Sequence, residues 1–132
     1  MAPAPRGSLT NCQPIEAVVD PQFNIWFEVN GEVAASRWRM QLLAAIDDNG
    51  SITAGAGAMG VPYRVAWQKV HEMQVRLGEP LLDTTTGGSA GGGARLTDAG
   101  RLHVERMQVF CERADAAIAE IYEDVFEPPA PG

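Results

Sequence analysis

At 132 residues, with 45% hydrophobic and 20% charged side chains, the chain is sized for one soluble globular domain with a core of its own. Ten Lys+Arg against seventeen Asp+Glu leave a net charge of -7, which at face value disfavours a nucleic-acid or anionic-membrane partner. Two cysteines far apart, Cys12 and Cys111, without a charged and apolar leader, do not make a secreted disulfide framework. No apolar run approaches the roughly 18 residues of a membrane span, so the cytoplasm is the expected location.

Residues 1–21 mix Pro, Gly and polar side chains without a period, and read as a flexible arm; residues 125–132 read as a disordered tail. Over residues 22–36, Phe23, Ile25, Phe27 and Val29 alternate with less apolar positions and lead into Asn30-Gly31, which predicts a β-hairpin. From residue 38 the spacing turns helical, with Trp38, Leu42, Ala45 and Ile46 on one stripe and Gly50 as the stop. Ser51 is placed to cap a second, short helix over residues 52–59, which Gly55 and Gly57 weaken by about 1 kcal/mol each relative to Ala. Gly60 breaks it. Pro62 suits a first helical turn, and Ala66, Val70, Met73 and Leu77 form the inward face of a third helix ending at Gly78. Two helices joined by a glycine-containing turn make a helix-turn-helix candidate within residues 38–78.

Residues 80–97 read as two short strands, around Leu81-Leu82 and Ala94-Arg95-Leu96, joined by the tip TTTGGSAGGG. Thr97 or Asp98 can cap a final helix over residues 98–124, where Leu102, Met107, Phe110, Ala114, Ile118 and Ile121 keep a helical spacing for longer than one small core requires. Those six residues are the expected dimerisation face. The predicted class is mainly α with a small β component: a winged helix-turn-helix with an N-terminal β-hairpin and a long C-terminal dimerisation helix, over residues 22–124.

The run LLAAIDDNGSITAGAGAMGVPYRVAWQKVHEMQ, followed by GEPLLDTTTGGSAGGGARLTDAG, resembles the N-terminal winged helix-turn-helix domain of ModE-type molybdate-responsive transcription regulators over about residues 22–122. Its diagnostic pieces are Gly-Ser-Ile-Thr before the first motif helix, Tyr63-Arg64-x-Ala66-Trp67 opening the recognition helix, and the glycine-rich wing. A bare helix-turn-helix also fits LysR-type regulators, whose wing is shorter and lacks the double glycine cluster. Two departures stand out: Pro62 replaces a usual Ser, and nothing resembling the molybdate-binding domain follows the long helix. The resemblance therefore implies DNA binding and leaves oxyanion sensing unsupported.

Read from the residues, the recognition helix presents Arg64 and Gln68 opposite Ala66, with His71 nearby and Tyr63 in the first turn; Arg suits guanine and Gln suits adenine in the major groove. The plainer alternative is a solvated helix face. Trp67, next to the core stripe, is expected as a packing anchor. Lys69 suits phosphate better than a base. In the tract from Gly87 to Gly93, five glycines in seven residues fit a hairpin tip whose amides approach DNA, with Gly87, Gly88 and Ser89 at the tip and Arg95 at its base as phosphate contacts. Ser51 and Thr53 could receive a phosphate at a helix start, and Arg37 and Arg39 could reach the DNA backbone or, equally, be ordinary surface residues.

No cofactor or metal is expected, because His71 and His103 have no Cys, Asp or Glu at ligand spacing, and no nucleophile–base arrangement suggests an enzyme. The implied partners are an inverted-repeat operator in double-stranded DNA and a second copy of the chain, with a separate effector-binding protein as a further possibility and no membrane. The competing class is a protein-interaction module that keeps the fold and acts through partner proteins. Charge is unevenly divided: residues 37–106 carry eight Lys+Arg and seven Asp+Glu, and the rest two and ten. Residues 62–76 hold Arg64, Lys69 and Arg76 against Glu72 alone, a net +2 on the surface expected to face phosphate.

Overall fold

The computed structural model describes residues 18–85 and 92–126, so most of the expected arm, the wing-tip residues Gly87, Gly88 and Ser89, and residues 127–132 of the expected tail lie outside the described residues. Its elements run β1 (Trp26–Val29), β2 (Glu32–Ser36), α1 (Arg37–Asn49), α2 (Ile52–Met59), α3 (Tyr63–Leu77), β3 (Leu82–Thr85), β4 (Gly93–Leu96) and α4 (Asp98–Phe126).

β1 and β2 pair antiparallel through Asn30 and Gly31, both at positive φ (53° and 81°), the mirror-image turn that matches strand twist. The register slips between Phe27 and Glu28, leaving Ala34 unmatched and pressed into the interior. Ser36 ends the hairpin and starts α1 in one residue, its hydroxyl accepting from the Arg39 amide at 3.0 Å.

α1 is the central element. Met40, Leu42, Leu43 and Ile46 are buried on more than one side of it because α2, α4 and β4 all pack against it. Trp38, expected on that stripe, is partly exposed. Gly50 closes the helix at φ 85°, and Ser51 caps α2 by accepting from the Ala54 amide at 3.0 Å. The two glycines of α2 differ in kind. A Cβ on Gly55 would meet the Ile46 backbone at 2.6 Å, so this residue lets α2 lie directly on α1; Gly57 has open space.

Pro62 is the N-cap of α3 rather than part of its first turn, and supplies no side-chain acceptor. Ala66, Val70 and Met73 bury the inward face. The β3–β4 wing is held at its base by three side or main chains: Gln74 Oε1 accepts from the Leu81 and Leu82 amides, the Gly50 carbonyl from Ala94, and the Asp47 carboxylate from Leu96. Thr97 caps α4 by accepting from the Gly100 amide at 2.9 Å.

α4 has 29 residues, about 43 Å of helix. Only its first half reaches the core, through Val104, Met107 and Cys111. Met107, expected on the dimerisation face, is instead buried in its own chain, because its side chain points into the interior packed around α1. Phe110 is half-exposed and sets its ring edge-on against Phe27 at 5.3 Å, tying the hairpin to α4. Leu102 and Ile121 are exposed; Ala114 and Ile118 are half-buried.

Candidate nucleic-acid interface

α3 has three flanks around its buried stripe. On the side away from the core stand Arg64, Gln68 and His71, all exposed, as helical spacing from Ala66 requires. Gln68 reaches Glu72 at 3.3 Å. One flank turns toward the wing and carries Tyr63 and Trp67, 51% and 48% exposed, with the Trp67 indole stacked on the His71 ring at 5.1 Å. Trp67 is therefore a half-open surface residue rather than the expected packing anchor: 67 lies one turn after Tyr63 and one before His71, outside the Ala66–Val70–Met73 stripe. That i, i+4, i+8 aromatic spacing was readable from the sequence.

The other flank is an ion-pair network. Arg39, 8% exposed, pairs with Glu72 at 3.1 Å and donates to the Lys69 carbonyl at 3.5 Å. Arg76 joins it, 3.4 Å from Glu72, 2.9 Å from Glu32 and 2.8 Å from the Val33 carbonyl. Burial pushes the Glu72 carboxyl up, but the Arg39 hydrogen bond and the charges of Lys69, Arg39 and Arg76 outweigh it and hold the group below the usual carboxylate range.

This network corrects two expectations. Arg39 is a structural cation inside the fold, and Arg76 is spent on anchoring α3 to the hairpin. Arg37 likewise pairs with Asp115 of α4 at 3.0 Å, and Arg101 approaches Asp47 at 3.9 Å. The cations of the α3–wing surface not held by a carboxylate, among the described residues, are Arg64, Lys69 and Arg95. Arg64 and Arg95 are exposed and Lys69 half-buried; Arg95 stands directly across the ladder from Asp83.

Ser51 and Thr53 open α2 beside this surface, and together with Tyr63, Trp67 and the wing residues Thr84 and Thr85 they border one concavity. The threonines of the wing were not singled out in the sequence, although a TTT run entering a glycine-rich tip is a cue. His103 lies elsewhere, 2.7 Å from Glu79. Among the described residues, no three His, Cys, Asp or Glu side chains gather as a metal site, and no helix is long and apolar enough to cross a membrane.

Residues 38–101 match the family model of the bacterial regulatory helix-turn-helix proteins of the LysR family. Among curated proteins, the chain is 48% identical over 62 residues to the molybdenum-pterin-binding protein MopB of Rhodobacter capsulatus, covering 47% of this chain and 23% of that one. It is 33% identical over 86 residues to the transcriptional regulator ModE of Yersinia pestis, covering 65% and 33%. The chain thus spans a third or less of the length of these relatives. The DNA-binding domain of CbnR, solved in complex with DNA, shares the fold with a TM-score of 0.55 at 19% identity, covering 68% of this chain and 98% of that one. The BenM domain solved on its benA site does so with a TM-score of 0.54 at 13% identity, covering 71% and 100%. The segment that matches the family model, residues 38–101, is just under half of the chain and holds α1, α2, α3 and both wing strands, while the hairpin β1–β2 and most of α4 fall outside it.

Proposed function

We propose that this chain is a sequence-specific DNA-binding transcription regulator that works as a homodimer, with α3 in the major groove. The observation that carries the reading is the division of labour on α3. Its inward stripe and one flank are consumed by packing and by the Arg39–Glu72–Arg76 network, while Arg64 and Gln68 are left outward on a helix whose position is thereby fixed. A planar guanidinium and an amide are the groups that read guanine and adenine edges bidentately. Two copies pair through the outer face of α4, with Leu102, Phe110 and Ile121 as its large apolar members and Ala114 and Ile118 beside them. They address the half-sites of an inverted repeat about one helical turn apart, or a multiple of it. The naming of the relatives for molybdenum makes genes of molybdenum uptake or use the first targets to examine.

Selection of duplexes from a random pool by the purified chain, followed by binding of the winner, tests this. Arg64→Ala is expected to weaken the selected site by about 1 to 3 kcal/mol and relax preference at one base pair, while Lys69→Ala weakens selected and scrambled DNA alike. Equal losses on both duplexes for both variants would remove Arg64 from base readout. Failure to enrich any sequence would favour the protein-interaction reading.

A further inference from the structure

Between the start of α2, the first turns of α3 and the base of the wing lies an open cavity of about 320 Å³. Its polar lining comes from three separate elements: Ser51 and Thr53 from α2 and its cap, Tyr63 from α3, and Thr84 and Thr85 from β3, with the Trp67 indole as an apolar wall. Among the described residues, no charged side chain lines it. Two of the hydroxyls are already used as acceptors, Ser51 by the Ala54 amide and Thr85 by the Gly93 amide at 3.1 Å. A hydroxyl that has accepted one hydrogen bond in this way still has its O–H free to donate. The cavity thus gathers hydroxyl donors from three elements, and it sits on the wing-side flank of α3, where Tyr63 is next in sequence to the exposed Arg64.

We propose that this cavity is an uncharged seat for one DNA backbone phosphate, held by hydroxyl donors with the adjoining deoxyribose against Trp67. The proposal rests on the DNA-binding reading above and specifies how the duplex is held there. Its physical consequence is distinctive. Lys and Arg contacts displace condensed counterions and weaken as salt rises, whereas a neutral donor releases none. Hydroxyl contacts here fix the register of the duplex with a salt-independent contribution.

The test uses the full chain and the duplex it selects, with affinity measured by fluorescence anisotropy from about 50 to about 300 mM salt. Thr84→Val and Thr53→Val remove a hydroxyl while nearly preserving shape. Each is expected to weaken binding about tenfold per copy, about a hundredfold for the dimer, at every salt concentration, the scale of one lost hydrogen bond to a charged group in each half-site, and to leave the slope of log K against log salt unchanged. Arg95→Gln is the contrasting control and, lost from both copies of the dimer, should flatten that slope by about 2. A scan of single methylphosphonate substitutions along the duplex should find one phosphate in each half-site whose neutralisation weakens the wild type about tenfold and Thr84→Val hardly at all. Melting curves of both threonine variants check folding, and Thr53→Val, on an exposed position of α2, stands in if Thr84→Val unfolds. Threonine variants that bind as wild type, or that change the salt slope, would overturn the seat while leaving DNA binding intact. A wild-type chain that selects no duplex would overturn the functional reading itself.

Discussion

Glu72 is the joint on which the placement of the recognition helix turns, and Glu72→Ala tests it. In the wild type this carboxylate is the only one within salt-bridge distance of Arg39 among the described residues, and it also touches Arg76. Its removal leaves the Arg39 guanidinium, 8% exposed, with a long hydrogen bond to the Lys69 carbonyl and no counter-charge. Breaking a buried pair on one side costs about 3 to 5 kcal/mol. The Glu72 side chain is 20% exposed, which places the expected loss at the lower end, about 3 kcal/mol. For a domain of this size that lowers the melting temperature by roughly 10 to 20 °C. Urea titration followed by circular dichroism measures it directly. Because the folded carboxyl titrates below its unfolded value of about 4.3, the stabilisation is complete above that pH and fades as pH falls through the lower folded value. The gap between wild type and Glu72→Ala should be widest near neutrality and close in strong acid. Adding Arg39→Met should restore part of the loss, since the stranded cation is then gone. A loss below about 0.5 kcal/mol, or one that persists unchanged in acid, would refute the account.

The two glycines of α2 are expected to respond with opposite signs. Gly55→Ala places a Cβ against the Ile46 backbone, which cannot yield as a side chain would, and should destabilise by about 2 kcal/mol even after the gain in helix propensity; Gly57→Ala meets nothing and should stabilise by about 0.5 to 1 kcal/mol. Thermal melts of the two variants decide it, and a stabilising Gly55→Ala would mean α2 does not lie on α1 as described. If α4 pairs two copies, Leu102→Asp or Ile121→Asp should shift the protein to monomer in light scattering without lowering its helix content, because both side chains are exposed in one chain. A wild type that is monomeric would sink the dimer directly.

Element boundaries were legible wherever a single residue type had one job. Gly50, Gly60 and Gly78 all sit at left-handed φ as helix stops, Ser51 and Thr97 cap the helices they precede, and Asn30-Gly31 turns the hairpin. Residues whose role depends on tertiary neighbours were not legible. Met107 and Phe110 follow the same helical rhythm on α4, yet one points into the core around α1 and the other against Phe27 of the hairpin. Gly55 looked like a weakness of α2 because only its proximity to Ile46 shows what it permits. Periodicity finds that a face is apolar; it does not say which element covers it.

The same limit governs the charges, and there it reaches function. Counting along residues 62–76 gives three cations against one anion, a surface ready for phosphate. In the fold, Arg76 is bound to Glu32, 44 residues away, and Glu72 to Arg39, 33 residues away, so the flank facing the hairpin is internally neutralised. What remains on α3 and the wing is Arg64, Lys69 and Arg95. If each makes one phosphate contact, a dimer neutralises at most about six phosphates through these residues, and the slope of log K against log salt should be no steeper than about -5. Measuring that slope on the selected duplex is a check on the ion-pair assignments as well as on DNA binding. A slope near -8 or steeper would require cations that the fold holds against carboxylates, and Arg37, Arg39 or Arg76 would then have to leave their partners when DNA arrives.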